Sequence, residues 1–423
     1  MRVGFVLTET VDGRFVPWES FLDWESYIDL YCLALARRGH SCTKYVPSIE
    51  ATEVKIYRHK FGHIVKRVPV HHPVLYPRWL GRKRKGTHGL TTVAYQLQSL
   101  GFTLNLIREA KADRTDLFHY SSYYSSFFVP AFVTRVVAPM LVQYSGGGLP
   151  ERALPRLAWR SALAPSFAAA RSVLLGEYKS ELEMLRGQPG AGAAKTRSFD
   201  APIVDTDVFR PVPRDKAVTR SGFEQGATNI LSVTFVSKRH SELLAKNPYL
   251  LVTLFAKAKK SWARGKLKLY IAGFGPGMDD LREHVEAEGV GGDVKLLGRV
   301  KHDSLPVLYS ASDLVFVPYP FERLNEGSVT YESFACGTAV AGWRRSEAIP
   351  VEQPGGFLVD LQPDSGATQM VARLADSAYM RSKEAQCAEL ASRVSLEAGG
   401  EKLEACYNEA VANRAASRGR GGP

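Results

Sequence analysis

The chain has little cysteine. Five residues in 423, Cys32, Cys42, Cys336, Cys387 and Cys406, form no C-x-x-C pair. An odd count inside apolar patterns excludes a disulfide framework and reads as reduced, buried thiols of a cytoplasmic protein. No apolar run reaches membrane-spanning length, because the longest, Phe127 to Gln143, is broken by Pro130, Arg135 and Pro139. Any membrane association is therefore expected to be peripheral, on the inner face. The first residues, Met1 to Glu9, turn acidic too early for a signal peptide and read as a strand. No segment repeats at a period of 20 to 50 residues, which excludes a solenoid.

Acid is nearly missing from one stretch. Residues 53 to 85 hold ten Lys or Arg against the single acid Glu53, with Tyr57, Phe61, Tyr76 and Trp79 interleaved. Such a face suits a polyanion or acidic lipid headgroups, and it equally suits a solvated loop with an edge strand. Arg82, Lys83 and Arg84 are its acceptor-side candidates. His59, His63, His71 and His72 fall in the same stretch without zinc-type spacing or nearby carboxylates, and read as surface or acceptor-side residues.

What is present fits a globular protein. With 45% hydrophobic and 23% charged residues, the chain suffices for two domains of roughly 200 residues each. Its formal charge of +12 points to an acidic partner: nucleotide, nucleic acid or anionic membrane.

The most informative stretch runs from Asp313 to Gly337. The apolar run Asp313-Leu-Val-Phe-Val317 ends at Pro318 and Pro320, a polar loop follows, and Ser328 to Cys336 read as a helix closed by Gly337. Free N–H groups and the positive dipole end of such a helix favour an anion. Gly327 allows close approach, and Glu332, a turn inside, can accept bonds from sugar hydroxyls. Phosphate beside ribose is what a nucleotide presents.

Glu322, Gly327 and the run Glu332-Ser-Phe-Ala-Cys-Gly-Thr-Ala-Val340 resemble the donor site of the large retaining glycosyltransferase family of GT-B fold (family 4-like, group 1). That family carries two glutamates separated by seven residues. In it the second holds the ribose, N–H groups after the first hold the diphosphate, and the first touches the donor sugar. Glu332 and Gly327 match in register, and Ser328 and Val329 then supply the N–H groups. The first glutamate does not match: the spacing lands on Leu324, leaving Glu322, through a two-residue insertion, or Glu326.

Further segments carry the resemblance at intervals. Lys246-Asn-Pro248 matches the second basic position of a diphosphate-binding loop, and the first falls on Arg239, with Lys238 as second choice. Gly273-Phe-Gly275 is similar to the family's glycine turn, and Val300 stands where relatives hold the nucleobase with backbone groups. In the first half, Thr115 to Tyr120 looks like a recurrent strand whose His119 faces the acceptor or simply packs. Ser145-Gly146 occupies the place of a Thr-x-His-Gly segment, so no histidine role transfers.

The resemblance implies an α/β fold of GT-B type, two Rossmann-like domains whose open parallel sheets face across a cleft. The expected boundaries are an acceptor domain at 1–212, joined by a returning helix at 401–414, a linker at 213–227, a donor domain at 228–395 and a disordered tail at 415–423. The implied reaction moves a hexose from a nucleotide-diphosphate sugar to a hydroxyl acceptor, lipid-linked, glycan or polyanionic, with retention. A cationic cradle can replace a divalent ion, so neither metal nor tightly bound cofactor is expected. The rivals are a nucleotide-sugar epimerase, a DNA-directed glycosyltransferase and a non-catalytic polyanion binder.

Overall fold

The structure is a computed structural model that describes residues 1–7, 26–71, 88–122, 137–144, 172–175, 196–198, 203–239, 246–321, 324 and 327–419. The chain divides into two units, Met1–Ala201 with Gly399–Pro423, and Pro202–Ala398.

In the first unit β1 (Arg2–Leu7), the helix α1 (Tyr27–Arg37) and β2 (Ser41–Ser48) form the opening β-α-β turn. The strands β3 (Lys55–Arg58), β4 (Ile64–Pro69), β5 (Leu117–Ser122), β6 (Met140–Tyr144), β7 (Ser172–Leu175) and β8 (Thr196–Ser198) complete a sheet ordered β3-β4-β2-β1-β5-β6-β7-β8. All pairs are parallel except β3 with β4. A long helix, α2 (His88–Ala112), precedes β5.

The basic stretch does not form one solvated face. Lys55, Arg58 and Lys60 are exposed, but Lys66 is buried between Glu109 (3.1 Å) and Asp113 (2.7 Å), and Arg67 pairs with Glu50. His59 and His63 are buried too, which corrects their reading as surface residues. They close over Asp29, at the start of α1, whose carboxylate also takes Lys44 at 2.8 Å and the Ser26 N–H. Lys44 on β2 and Lys66 on β4 point to opposite faces of the sheet, and both faces are buried there, where a charge is tolerated only when paired.

In the second unit, β9 (Thr228–Phe235), β10 (Leu267–Phe274), β11 (Val294–Gly298), β12 (Leu314–Phe321), β13 (Val340–Arg344), β14 (Glu352–Gln353) and β15 (Gly356–Val359) form a sheet ordered β11-β10-β9-β12-β13-β15-β14. Only the β14–β15 pair is antiparallel. Helices cover both faces. Ile230, Leu269, Leu314 and Phe316 join one apolar cluster, while their neighbours Leu231, Tyr270, Val315 and Val317 join the other. That alternation is why these strands read as continuous apolar runs.

Three expectations need correction. The stretch expected as a linker carries a helix, α3 (Arg214–Ser221), and belongs to the second unit. Ala217 is fully buried and Phe223 stacks on Tyr270 with centroids 3.7 Å apart. Residues 203–211 join it there, because Phe209 packs against His302 and Tyr309. The apolar spacing predicts helices at 371–378 and 383–394, but they run Pro363–Ala375 and Ser377–Ser392, with the Asp376 side chain capping the second by accepting from the Ala378 and Tyr379 N–H groups. The last helix runs Leu396–Gly419, past the expected start of the tail. No helix among the described residues is long and apolar enough to cross a membrane.

Candidate functional site

The second sheet reverses its order between β9 and β12, the first and fourth strands of this unit, which lie side by side (Leu314 opposite Ile230). In an open α/β sheet the carboxyl ends of the strands at such a reversal leave a crevice that side helices cannot fill. Both loops carrying the candidate donor residues leave from it. After β12 the chain reaches Gly327, which has φ 84° and ψ 151°, a backbone conformation almost reserved for glycine. It starts the helix α7 (Ser328–Ala335), which follows α4 (Pro248–Ser261), α5 (Met278–Ala287) and α6 (Leu305–Ala311) in the chain. A Cβ at Gly327 would meet nothing within 4 Å, and Gly327 has no side chain with which to cap the helix, so the first N–H groups of α7, Ser328 and Val329 among them, have no acceptor within the helix itself.

After β9, Asn247 caps α4 by accepting the Leu250 N–H at 3.0 Å and donates its own N–H to Pro318 O at 2.8 Å. This clamp holds Lys246 beside the end of β12. The protein around Lys246 lowers its ammonium pKa and the charge of Glu332 opposes that; its exposure to water also favours the charged form. Glu332 is buried, with Oε2 accepting from the Tyr309 hydroxyl at 2.8 Å and Oε1 3.5 Å from His302 Nε2. Burial, then Glu332, pushes the Tyr309 phenol well above its ordinary range, so it remains a donor.

Lys246, Gly327, Ser328, Val329 and Glu332 thus share one end of the sheet. Arg239 lies toward β10: its N–H donates to Asp280 at 3.3 Å and its guanidinium stands 6.0 Å from the Tyr249 ring centroid. Gly273 and Gly275 have a packing role, since a Cβ on either would sit 2.1 Å from Thr234 O or Val236 O. Val300 packs against the core of the unit, two residues after Gly298 with φ 68°. His119 has no exposed surface and its Nδ1 lies 2.7 Å from the Tyr407 hydroxyl, so the packing alternative describes it. Glu322, Glu326, Ser145, Gly146, Arg82, Lys83 and Arg84 lie outside the described residues.

Two groups bear on metal binding. Asp205-Thr-Asp207 has Asp-x-Asp spacing, which the sequence reading passed over, but it folds as a turn in which Asp205 Oδ1 accepts the Asp207 N–H at 3.0 Å. In the first unit, ligand atoms of Asp29, His59 and His63 lie within 4.8 Å of one another. The two imidazoles are stacked, 4.4 Å apart and 26° from parallel, so both planes cannot contain one ion, and Lys44 already holds the carboxylate. That cluster is an ion-pair knot. Sequence reasoning missed Tyr309 and His302, which carry no motif and are found only by their distance to Glu332.

Residues 233–351, from within β9 to the edge of β14, match the family described as "Glycosyl transferases group 1". That match spans a little over a quarter of the chain, all of it within the second unit. The 2-deoxystreptamine N-acetyl-D-glucosaminyltransferase of Streptomyces fradiae is 36% identical over 73 residues, 17% of this chain and 17% of that protein. Among solved structures, sucrose-phosphate synthase from Thermosynechococcus elongatus is similar over 97% of this chain and 100% of that one, at 18% identity and TM-score 0.71. HepE from Anabaena, solved with UDP-glucose, is similar over 96% and 99%, at 14% identity and TM-score 0.65. These likenesses establish the fold, which is GT-B. Outside the matched residues, the unit that begins at Met1 supplies a second open, mostly parallel sheet.

Proposed function

We propose that the protein is a retaining glycosyltransferase that moves a hexose from a nucleotide-diphosphate sugar to a hydroxyl acceptor. The observation that carries this reading is the placing of Lys246, next to Asn247 that bonds β12, and of Gly327 and Glu332, on the segment after β12, at the reversal between β9 and β12. The N–H groups of Ser328 and Val329 and the Lys246 ammonium receive the diphosphate, Arg239 adds charge from the β10 side, and Glu332 accepts the ribose hydroxyls. As the bond between the sugar and the diphosphate breaks, negative charge grows on the departing oxygens. Fixed donors aimed there stabilise the transition state more than the ground state, and the need for a strong base falls. Backbone around Gly298 and Val300 holds the base. Glu322 or Glu326 touches the sugar.

An anionic acceptor or membrane surface is supported by β3 and the turn after it, a short stretch that exposes Lys55, Arg58 and Lys60 together with Ile56, 63% exposed. The test uses UDP, GDP and ADP and their glucose and N-acetylglucosamine conjugates, scored by thermal shift and donor hydrolysis. Wild type is expected to bind one nucleotide at micromolar concentration, and Glu332→Ala to weaken it at least tenfold, the loss typical of a hydrogen-bonded charged group. A polyanion binder without donor chemistry is expected to show neither effect.

A further inference from the structure

Glu332 does not stand alone, and its neighbours bear on what it can recognise. Its carboxylate can accept about four hydrogen bonds. Among the described residues a single hydrogen-bond donor reaches it, the Tyr309 hydroxyl on Oε2. Tyr309 is itself packed into the core: it has no exposed surface, its ring centroid lies 6.1 Å from that of Phe209, and its carbonyl accepts the Thr338 hydroxyl at 2.8 Å. The other oxygen, Oε1, turns toward His302, which is partly exposed and stands beyond good hydrogen-bond length at 3.5 Å. One oxygen is anchored to the core by Tyr309, and among the described residues no donor at good hydrogen-bond length reaches the other.

We propose that Tyr309 is a positioning residue that fixes the Glu332 carboxylate with Oε1 presented to the ribose diol of the donor. This rests on the donor-site reading above. A free glutamate samples several rotamers and would meet the two hydroxyls in only some of them, whereas one held at Oε2 meets them preorganised. Tyr309 thereby contributes to ribose selectivity without touching the nucleotide.

The experiment titrates UDP, GDP and ADP, takes the tightest, and compares it with its 2′,3′-dideoxy form. For Tyr309→Phe, binding of the ribonucleotide is expected to weaken about tenfold, and binding of the dideoxy form to change less than twofold. In donor turnover the KM for the sugar nucleotide rises while kcat stays within about threefold. Equal loss for both nucleotides, or loss for neither, overturns the proposal. Should Tyr309→Phe fail to fold, Tyr309→Met removes the hydroxyl with an adaptable apolar side chain and is judged by the same outcomes. Glu332→Gln is the reference arm. If it leaves ribonucleotide affinity unchanged, or if none of the three nucleotides binds wild type, the donor-site reading itself falls, and this proposal with it.

Discussion

At the scale of single residues, backbone conformation decides what may replace Gly327. With φ 84° and ψ 151°, any side chain forces the start of α7 into strain of about 1–3 kcal/mol, although the space beside it is empty. Gly327→Ala is therefore expected to lower the thermal midpoint by several degrees and to weaken nucleotide binding together with it. Differential scanning fluorimetry with and without the nucleotide checks both. Gly327 and Glu332 were legible in the sequence because a glycine before a helix and a glutamate inside it are local signals. Tyr309 was not, because the contact joins two helices separated in the chain, and nothing in Leu305–Ala311 marks one tyrosine as facing a carboxylate. The grouping of Asp29, Lys44 and His63 was missed for the same reason: they come from α1, β2 and the turn between β3 and β4, and only the folded sheet brings them together.

At the scale of elements, the helix α4 does more than cover the sheet. Its cap, Asn247, is also tied to the end of β12, so the position of Lys246 depends on both strands flanking the reversal. Replacing Asn247 with Ala is expected to cost about 1 kcal/mol of stability and to weaken nucleotide binding more than that stability loss alone explains. Urea unfolding beside calorimetric titration separates the two effects, and unchanged affinity would show that Lys246 is held by other means. Elements were legible wherever apolar period and punctuation agreed, as from β9 through β12. They failed where a polar residue acted as a cap in the middle of a continuing apolar pattern, as at Asp376, or where charge concealed a short helix, as at Arg214–Ser221.

At the scale of the whole molecule, buried titratable groups set how stability responds to acid. Burial, first of all, lowers His59 to about 4, against about 6.5 in an unfolded chain. Below 6.5 the unfolded state takes up a proton that the folded state refuses, so stability falls as pH drops from about 6.5 to 4, by at most about 3 kcal/mol from this residue. Burial would raise Asp29, but His63, Lys44 and Ser26 outweigh it and hold the carboxyl well below its usual range. Its contribution is thus lost only at still lower pH, below about 4. His59→Leu is expected to have a lower baseline stability at pH 7 and a flatter decline toward pH 4.5, read from urea midpoints across that range. A decline as steep as in wild type would remove His59 as the cause.

The division of the chain bears on how it is made. Leu403, Tyr407 and Ala410, fully buried, belong to the unit that begins at Met1, and Tyr407 is the partner of His119. During synthesis these residues leave the ribosome only after every strand of the other unit. The amino-terminal half must wait, with its His119 side uncovered, until the carboxyl-terminal half has been delivered, so a nascent chain arrested anywhere before residue 407 holds a complete second fold at best and an unfinished first one.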